Sequence, residues 1–329
     1  GTNNTAIGFE ALSTEDAHGS NTAVGYQSLK TQNAGANAGN TAVGFQSGFD
    51  MTTGHSTTLV GTIAGANVTT ASNNTAVGYN ALGTETSGGK NTAFGSSALA
   101  ALNRTTDAVN TAVGFDAGKS ISTGSENTII GGETGDALTV GQSNVAVGNQ
   151  ALSTDQNGSR NVAVGATALK NHEAAGSTSN NTYNIGIGYG ALEGLTDSHS
   201  NTVVGSNAMN IATSSNTYNT VVGINAANNM STSSSYNTCI GGHAGDNMTD
   251  NAINNVYLGY NTQTNAANDD YQIVIGTDMN GVGPEYITMG NNSRGRIYNL
   301  FSSNASWTRT SDERIKKDIE ANTDCGLDF

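Results

Sequence analysis

Proline is almost missing from this sequence, at 1 in 329 residues, and charged side chains are only 12% of it. Disordered chains are as a rule rich in both, so a disordered segment is excluded. A collagen-like helix, which needs abundant proline and glycine at every third position, is excluded with it. Aromatics are 6% and apolar residues 35%, against roughly 45–50% apolar in an average domain. The length suggests about two ordinary domains, yet the apolar content is too thin for two conventional cores. Bases are scarce: residues 1–293 hold 20 acids and 6 bases, residues 294–329 hold 6 of each, and the net charge is −14. Without a basic stripe, nucleic acid and an anionic membrane surface are not expected partners. The two cysteines, Cys239 and Cys325, fit no metal-ligand or redox spacing, and Cys239 reads as a small buried apolar residue. No run of 18 apolar residues occurs, and residue 1 falls inside a repeat, which places any signal or anchoring segment outside the chain.

What the sequence has is repetition. The motif Asn-Thr-Ala-Val-Gly recurs at nearly even intervals, with its glycine at 8, 25, 44, 61, 78, 95, 114, 131, 148, 165, 188, 205, 223, 241, 259, 276 and 290. Gly8, Gly78 and Gly148 are equally spaced, four repeats apart, the mark of a duplicated block of four coils. One residue before the glycine is always apolar, two before is mostly Ala, and three before is Thr, Val or Ile. These are strand formers whose successive side chains point to opposite faces. Both faces of such a strand are covered: one by the inside of the coil, the other by an adjacent subunit. Asn stands four before the glycine in all coils but those of Thr57, Gln272 and Tyr286, where its amide can ladder between coils. The glycine permits a turn or a close approach that a Cβ would obstruct. Four residues after it, in most coils, comes Leu or Met, which plugs the second side of the coil, or another Gly. Segments such as Ser13–Asp16 and Ser231–Ser235 read as exposed loops of variable length.

The predicted fold is all-β, a parallel β-solenoid or β-roll of about 17 coils over residues 1–292, roughly 80 Å long at about 4.8 Å per coil. Residues 293–310 form a neck, and 311–329 a separate segment. The threonines at 5, 22, 41, 58 and 75 invite comparison with an ice-binding array, but Val145, Val162 and Ile185 replace them, which predicts an interior position. His18, His55, His172, His199 and His243 lack ligand spacing, so no metal and no cofactor is expected. Asp269-Asp270 and Glu15-Asp16 read as solvated loop charges rather than a glycosidase pair.

The Asn-Thr-Ala-Val-Gly motif, followed by two variable residues and Ala-Leu, resembles the coil motif of YadA-like heads in trimeric autotransporter adhesins, and equally repeats of phage tail fibres. The resemblance spans about residues 1–292 and implies a left-handed β-roll with three chains side by side; the coils here are longer than that family's compact ones.

After Gly290 the repeat stops. Taken alone, Ser311-Asp312-Glu313-Arg314-Ile315-Lys316-Lys317-Asp318-Ile319 is a helix start, with Ser311 as N-cap, acids in the first turn, and Ile315 and Ile319 on one face. The same stretch resembles the opening of the endosialidase-type intramolecular chaperone domain, whose Ser-Asp-x-Arg-x-Lys motif marks self-cleavage. The resemblance implies Ser311 as nucleophile, Lys316 as its general base and Thr310–Ser311 as the scissile bond, provided that Lys316 is kept neutral by burial or nearby cations. That family's domain is far longer than the stretch from Ser311 to Phe329, so activity is expected of a longer parent alone.

These readings lead to a trimeric, virion-borne tail-fibre segment that binds a bacterial surface glycan or protein and joins other tail-fibre or baseplate proteins. Tyr183, Tyr218 and Tyr236, in inter-coil inserts, are the expected receptor contacts. A bacterial trimeric adhesin head on the cell surface is the alternative, and an ice- or surface-binding solenoid a third.

Overall fold

The structure is a computed structural model describing residues 1–15, 19–174, 180–249, 251–266, 269–302 and 308–310, the last as backbone alone. Its frame is one short strand per repeat, from Thr5–Ile7 and Thr22–Val24, through Val145–Val147 and Val162–Val164, to Ile273–Gly276 and Tyr286–Asn291. Neighbours pair in parallel without slippage: Thr128, Ile129 and Ile130 oppose Val145, Ala146 and Val147, which oppose Val162, Ala163 and Val164. Seventeen strands enclose sixteen turns, and the described residues contain no helix. The fold is therefore an all-β parallel solenoid, one turn short of the expected count because the last strand closes no further coil.

The glycine after each strand sets how closely coils stack. Gly148 has φ of +132°, and a Cβ built on it would lie 2.5 Å from the carbonyl oxygen of Gly165 in the next coil. Neither the dihedral nor the gap admits a side chain. With the coils this close, ladder bonds form at ordinary length: Gly148 N–H donates to Ile130 O at 2.8 Å, and Val145 N–H to Asn161 O at 2.9 Å.

Beside the strands runs a buried column of asparagines. Asn127 Oδ1 accepts the N–H of Asn144 (3.0 Å), while its Nδ2 donates to the carbonyl of Gly141 (2.9 Å). Asn144 repeats both bonds with Asn161 and Gly158. Each amide thus satisfies a backbone donor and a backbone acceptor that the corner would otherwise leave unpaired in the interior. Gln272 continues the column on Asn255, and Thr57 stands in for Asn beneath Asn40.

The core is narrow. The middle residue of each strand points inward, and Ala23, Leu59, Ala76, Ile129, Ala146, Cys239 and Val274 are fully buried. Cys239 is an apolar filler whose thiol pKa is pushed up by burial. Facing this wall are Leu29, Leu82, Leu99, Leu152, Leu169 and Met209, all buried. Where that position is glycine, a larger residue three further on takes the space, as Met51, Val68, Ile121, Leu138 and Met248 do. A Cβ on Gly135 would sit 3.0 Å from Leu138 and 3.2 Å from Ile129, so the glycine is a volume match.

The segments between motifs differ from the expected variable loops. Ser234 is fully buried, its N–H donating to Asn216 Oδ1 and its hydroxyl to the carbonyl of Thr249, both at 3.0 Å. His199, Thr217, Ser235 and Ile253 form a further line of parallel bridges. Coils of nearly equal length bring the same backbone groups into line at each level, so the second side also pairs. At the carboxyl end the direction reverses: Gly295–Leu300 pairs antiparallel with Tyr286–Asn291, and Thr308–Thr310 antiparallel with Arg296–Tyr298.

Replacing Asn127 by Ala removes its four buried side-chain bonds, two to backbone and two to the neighbouring column amides, and strands the N–H of Asn144 and the carbonyl of Gly141. The expected loss is about 3 kcal/mol, at about 1–2 kcal/mol per orphaned group, read as a lower urea midpoint than that of a surface control such as Thr105→Ala at an exposed position.

Candidate functional site

Alternation that sends the middle strand residue inward sends its two neighbours outward. Three columns result along the ladder: the residue three before the glycine, the residue just before it, and the residue just after it. The second is Val, Ile, Leu, Met or Phe throughout, and Phe94 and Ile130 are 53% and 38% exposed. The third carries Phe9, Tyr26, Phe45, Tyr79, Phe115, Tyr189, Ile224 and Tyr260, of which Phe115 is 56% and Tyr189 61% exposed. Phe9, Tyr26 and Phe45 stack on one another, with centroids 5.5 and 5.2 Å apart. The middle of these columns is apolar over the full stack of about 80 Å, and the third adds large apolar side chains in 8 of the 17 coils. Monomeric soluble proteins rarely leave apolar patches beyond a few hundred Å² exposed.

The threonine column, expected inside, belongs to this outward face. Thr58, Val145 and Thr202 are exposed and flank the buried Leu59, Ala146 and Val203. Only one of three consecutive strand residues can enter so narrow a coil, and the middle residue takes that place.

The tyrosines also lie elsewhere than in loop inserts. Tyr183, Tyr218 and Tyr236 each stand immediately before the column asparagine, on a corner where the chain turns through positive φ (52°, 58° and 62°). Tyr218 and Tyr236 stack at 5.2 Å with planes 2° apart, and the edge of His199 meets Tyr218 at 5.4 Å. Tyr183 is apart from them, under the guanidinium of Arg160, whose nitrogen donates to its hydroxyl (3.2 Å). Tyr271 occupies the same corner position with φ of 57° and is 50% exposed. It was missed in the sequence, although it too directly precedes the column residue, Gln272. Ser311 and Lys316 lie outside the described residues. Of the Thr310–Ser311 junction the structure gives the backbone of Thr310, paired with Arg296.

Several ionisable groups are buried. Asp155 and His172 are fully buried in neighbouring coils and joined by a 2.8 Å contact between Oδ2 and Nδ1. Asp155 Oδ1 accepts the N–H groups of Asn157 (3.2 Å) and Gly158 (2.8 Å), and His172 Nε2 lies 3.2 Å from both Ser198 O and Asn184 Nδ2. Glu85, which holds the place of Asp155 in the preceding four-coil block, makes the same turn by accepting from Ser87 and Gly88 (3.1 and 2.7 Å). Burial raises the Glu85 pKa above the ordinary carboxylate value, against those bonds. Asp269 and Asp270, expected as solvated charges, accept the N–H groups of Ala266 (3.0 Å) and Ile253 (2.8 Å). His55 is exposed, His243 contacts Asp246 at 3.1 Å, and His18 lies outside the described residues.

Among the described residues no three His, Cys, Asp or Glu side chains converge to hold a metal ion, and no helix is long and apolar enough to cross a membrane. What the described surface offers is contact: an apolar ladder face and a corner line of tyrosines. No protein-family model matches this chain, and neither a curated protein nor a solved structure matches it significantly.

A carboxylate whose folded pKa is raised contributes most to stability below its unfolded pKa, and that contribution is lost as pH rises through the folded value. Wild type should therefore gain in urea midpoint relative to Glu85→Gln as pH falls from about 7 to about 4. A difference between the two that is independent of pH would contradict the raised pKa.

Proposed function

We propose that this chain is the shaft of a homotrimeric attachment fibre of the phage tail-fibre type, in which three copies stand parallel and close their apolar ladder faces against one another. The observation that carries this reading is the unbroken outward column from Ile7 to Met289, apolar in every coil and half exposed at Phe94. Burying such a face stabilises an assembly by roughly 25 cal/mol per Å², and a face that long favours a partner of equal length and pitch. Another copy of the chain has both. Left-handed winding and attachment to a bacterial surface follow from the resemblance to YadA-like and tail-fibre repeats. A shaft of this kind repeats its surface features along and around its axis, so that weak contacts add by avidity.

The carboxyl-terminal segment completes the proposal. In a longer parent, Ser311 and Lys316 open an intramolecular chaperone. Once the trimer has formed, the Thr310–Ser311 peptide bond is hydrolysed and the chaperone leaves. Thr308–Thr310 then ends the shaft as an edge strand paired to Arg296–Tyr298. The Ser-Asp-x-Arg-x-Lys motif is what favours a phage fibre over a bacterial adhesin head.

A second reading, adsorption to ice, is favoured by one observation: the threonine column faces outward beside a column of valines, in a regular array. Thermal hysteresis separates the two, since a fibre shaft gives none.

Native mass spectrometry tests the first reading. The full-length parent should appear as a trimer of chains ending at Thr310, and its Ser311→Ala variant as a trimer of uncut chains. Val113→Lys with Ile130→Lys, which places charges on the outward face, should yield monomers with an unchanged far-ultraviolet spectrum. Monomeric wild type, or a trimer indifferent to the lysines, would overturn the proposal.

A further inference from the structure

Four successive corner residues share one backbone geometry: Tyr218, Tyr236, Asn254 and Tyr271 have φ of 58°, 62°, 59° and 57°. Each donates its N–H to the previous coil, to the carbonyls of His199 (3.4 Å), Thr217 (3.1 Å), Ser235 (3.1 Å) and Ile253 (3.1 Å) respectively. Identical backbone placement launches the side chains in parallel, and the stacked Tyr218–Tyr236 pair, 5.2 Å apart, shows the spacing for adjacent coils. Tyr236 and Tyr271 are two coils apart with Asn254 between them. Two coil steps separate their rings by about 10 Å. One face of Tyr236 is covered by Tyr218; its other face lies on the side of the coils that carry Asn254 and Tyr271.

We infer that this slot, walled by Tyr236 and Tyr271 and floored by Asn254, binds one neutral hexopyranose of a bacterial surface polysaccharide. A ring held midway lies about 5 Å from each tyrosine, which suits a puckered pyranose presenting its C–H groups to the electron-rich faces. The amide of Asn254 supplies both a donor and an acceptor for sugar hydroxyls. Asp270, directly before Tyr271, has its Oδ1 held by the N–H of Ile253, and the chain carries a net charge of −14. Uronic and sialic acids are therefore disfavoured. The other two-coil interval, between Tyr183 and Tyr218, is unlike this one, because His199 is packed against Tyr218 and Arg160 against Tyr183. As a physiological receptor site the slot rests on the attachment-fibre reading; as a sugar site it rests on the corner geometry.

Saturation-transfer difference NMR with methyl glucoside, methyl galactoside and methyl mannoside as probes tests it on the intact chain. At least one glycoside should give ring-proton signals with wild type. Those signals should fall about fivefold or more in Tyr271→Ala and Tyr236→Ala, as expected for loss of a stacking wall, and persist in Tyr183→Ala and Tyr271→Phe. Asn254→Tyr fills the slot while extending the stack, so it should abolish the signal without lowering the melting temperature. Signals from none of the probes, equal signals in Tyr271→Ala, or undiminished signals in Asn254→Tyr would overturn the site. Native mass spectrometry of the same samples keeps the two ideas apart. A trimer without sugar signals discards the slot and leaves the fibre; a monomer that binds sugar discards the fibre and leaves the slot.

Discussion

Everything in this molecule depends on how closely one coil lies on the next at the motif glycine. At Gly131 a Cβ would come within 2.6 Å of the carbonyl of Gly148, and at Gly148 within 2.5 Å of the carbonyl of Gly165. That contact repeats along the ladder and holds the strands at one strand spacing. It aligns backbone donors and acceptors coil by coil, and it allows Asn127, Asn144 and Asn161 to bond both along and across the stack. Hydrogen bonding dominates this architecture because so little interior is available for apolar packing. A polar, glycine-rich composition that would leave a globular domain without a core is enough here, since each coil needs only an inward Ala, a facing Leu and a column amide.

The same constraint exposes the apolar face. A strand of three residues in a narrow coil buries its middle one, so Thr128 and Ile130 must point away from Ile129. A column of β-branched side chains then faces outward at every level, and in a single chain nothing covers it. Corner positions obey the same logic: a fixed backbone geometry at each level turns isolated tyrosines into a line with regular intervals. The surface features proposed to act, the ladder face and the tyrosine slot, are both consequences of stacking at constant pitch.

Much of the fold was legible because the repeat exposes its columns. The motif glycines, the asparagine ladder and the Leu plug could be read as periodic positions with a physical role, whereas which face of the strand turns inward could not. The corners could not. Leu82, Leu152, Asn80 and Gln150 turn the chain with φ between 53° and 56°, a conformation that sequence reasoning assigns to glycine. Regular hydrogen bonding between coils imposes it on ordinary residues, and so Ser231–Ser235 and the tyrosine positions looked like loops. The threonine column was misplaced because its Val145, Val162 and Ile185 substitutions signal burial, whereas the one inward place in each strand is taken by its middle residue. The Asp155–His172 pair was missed because its two members sit in successive repeats, and only the stacking of one coil on the next brings them into contact. The proposed cleavage residues, Ser311 and Lys316, rest on their motif alone.

The central claim is that three such ladders share one axis, and mass per unit length measures it directly. One chain of about 17 residues per coil at about 4.8 Å rise carries about 0.4 kDa per Å. Dark-field scanning transmission electron microscopy of unstained particles should give about 1.1 kDa per Å along the shaft, three chains abreast. A value near that of a single chain would leave the apolar face uncovered in solution and contradict the assembly.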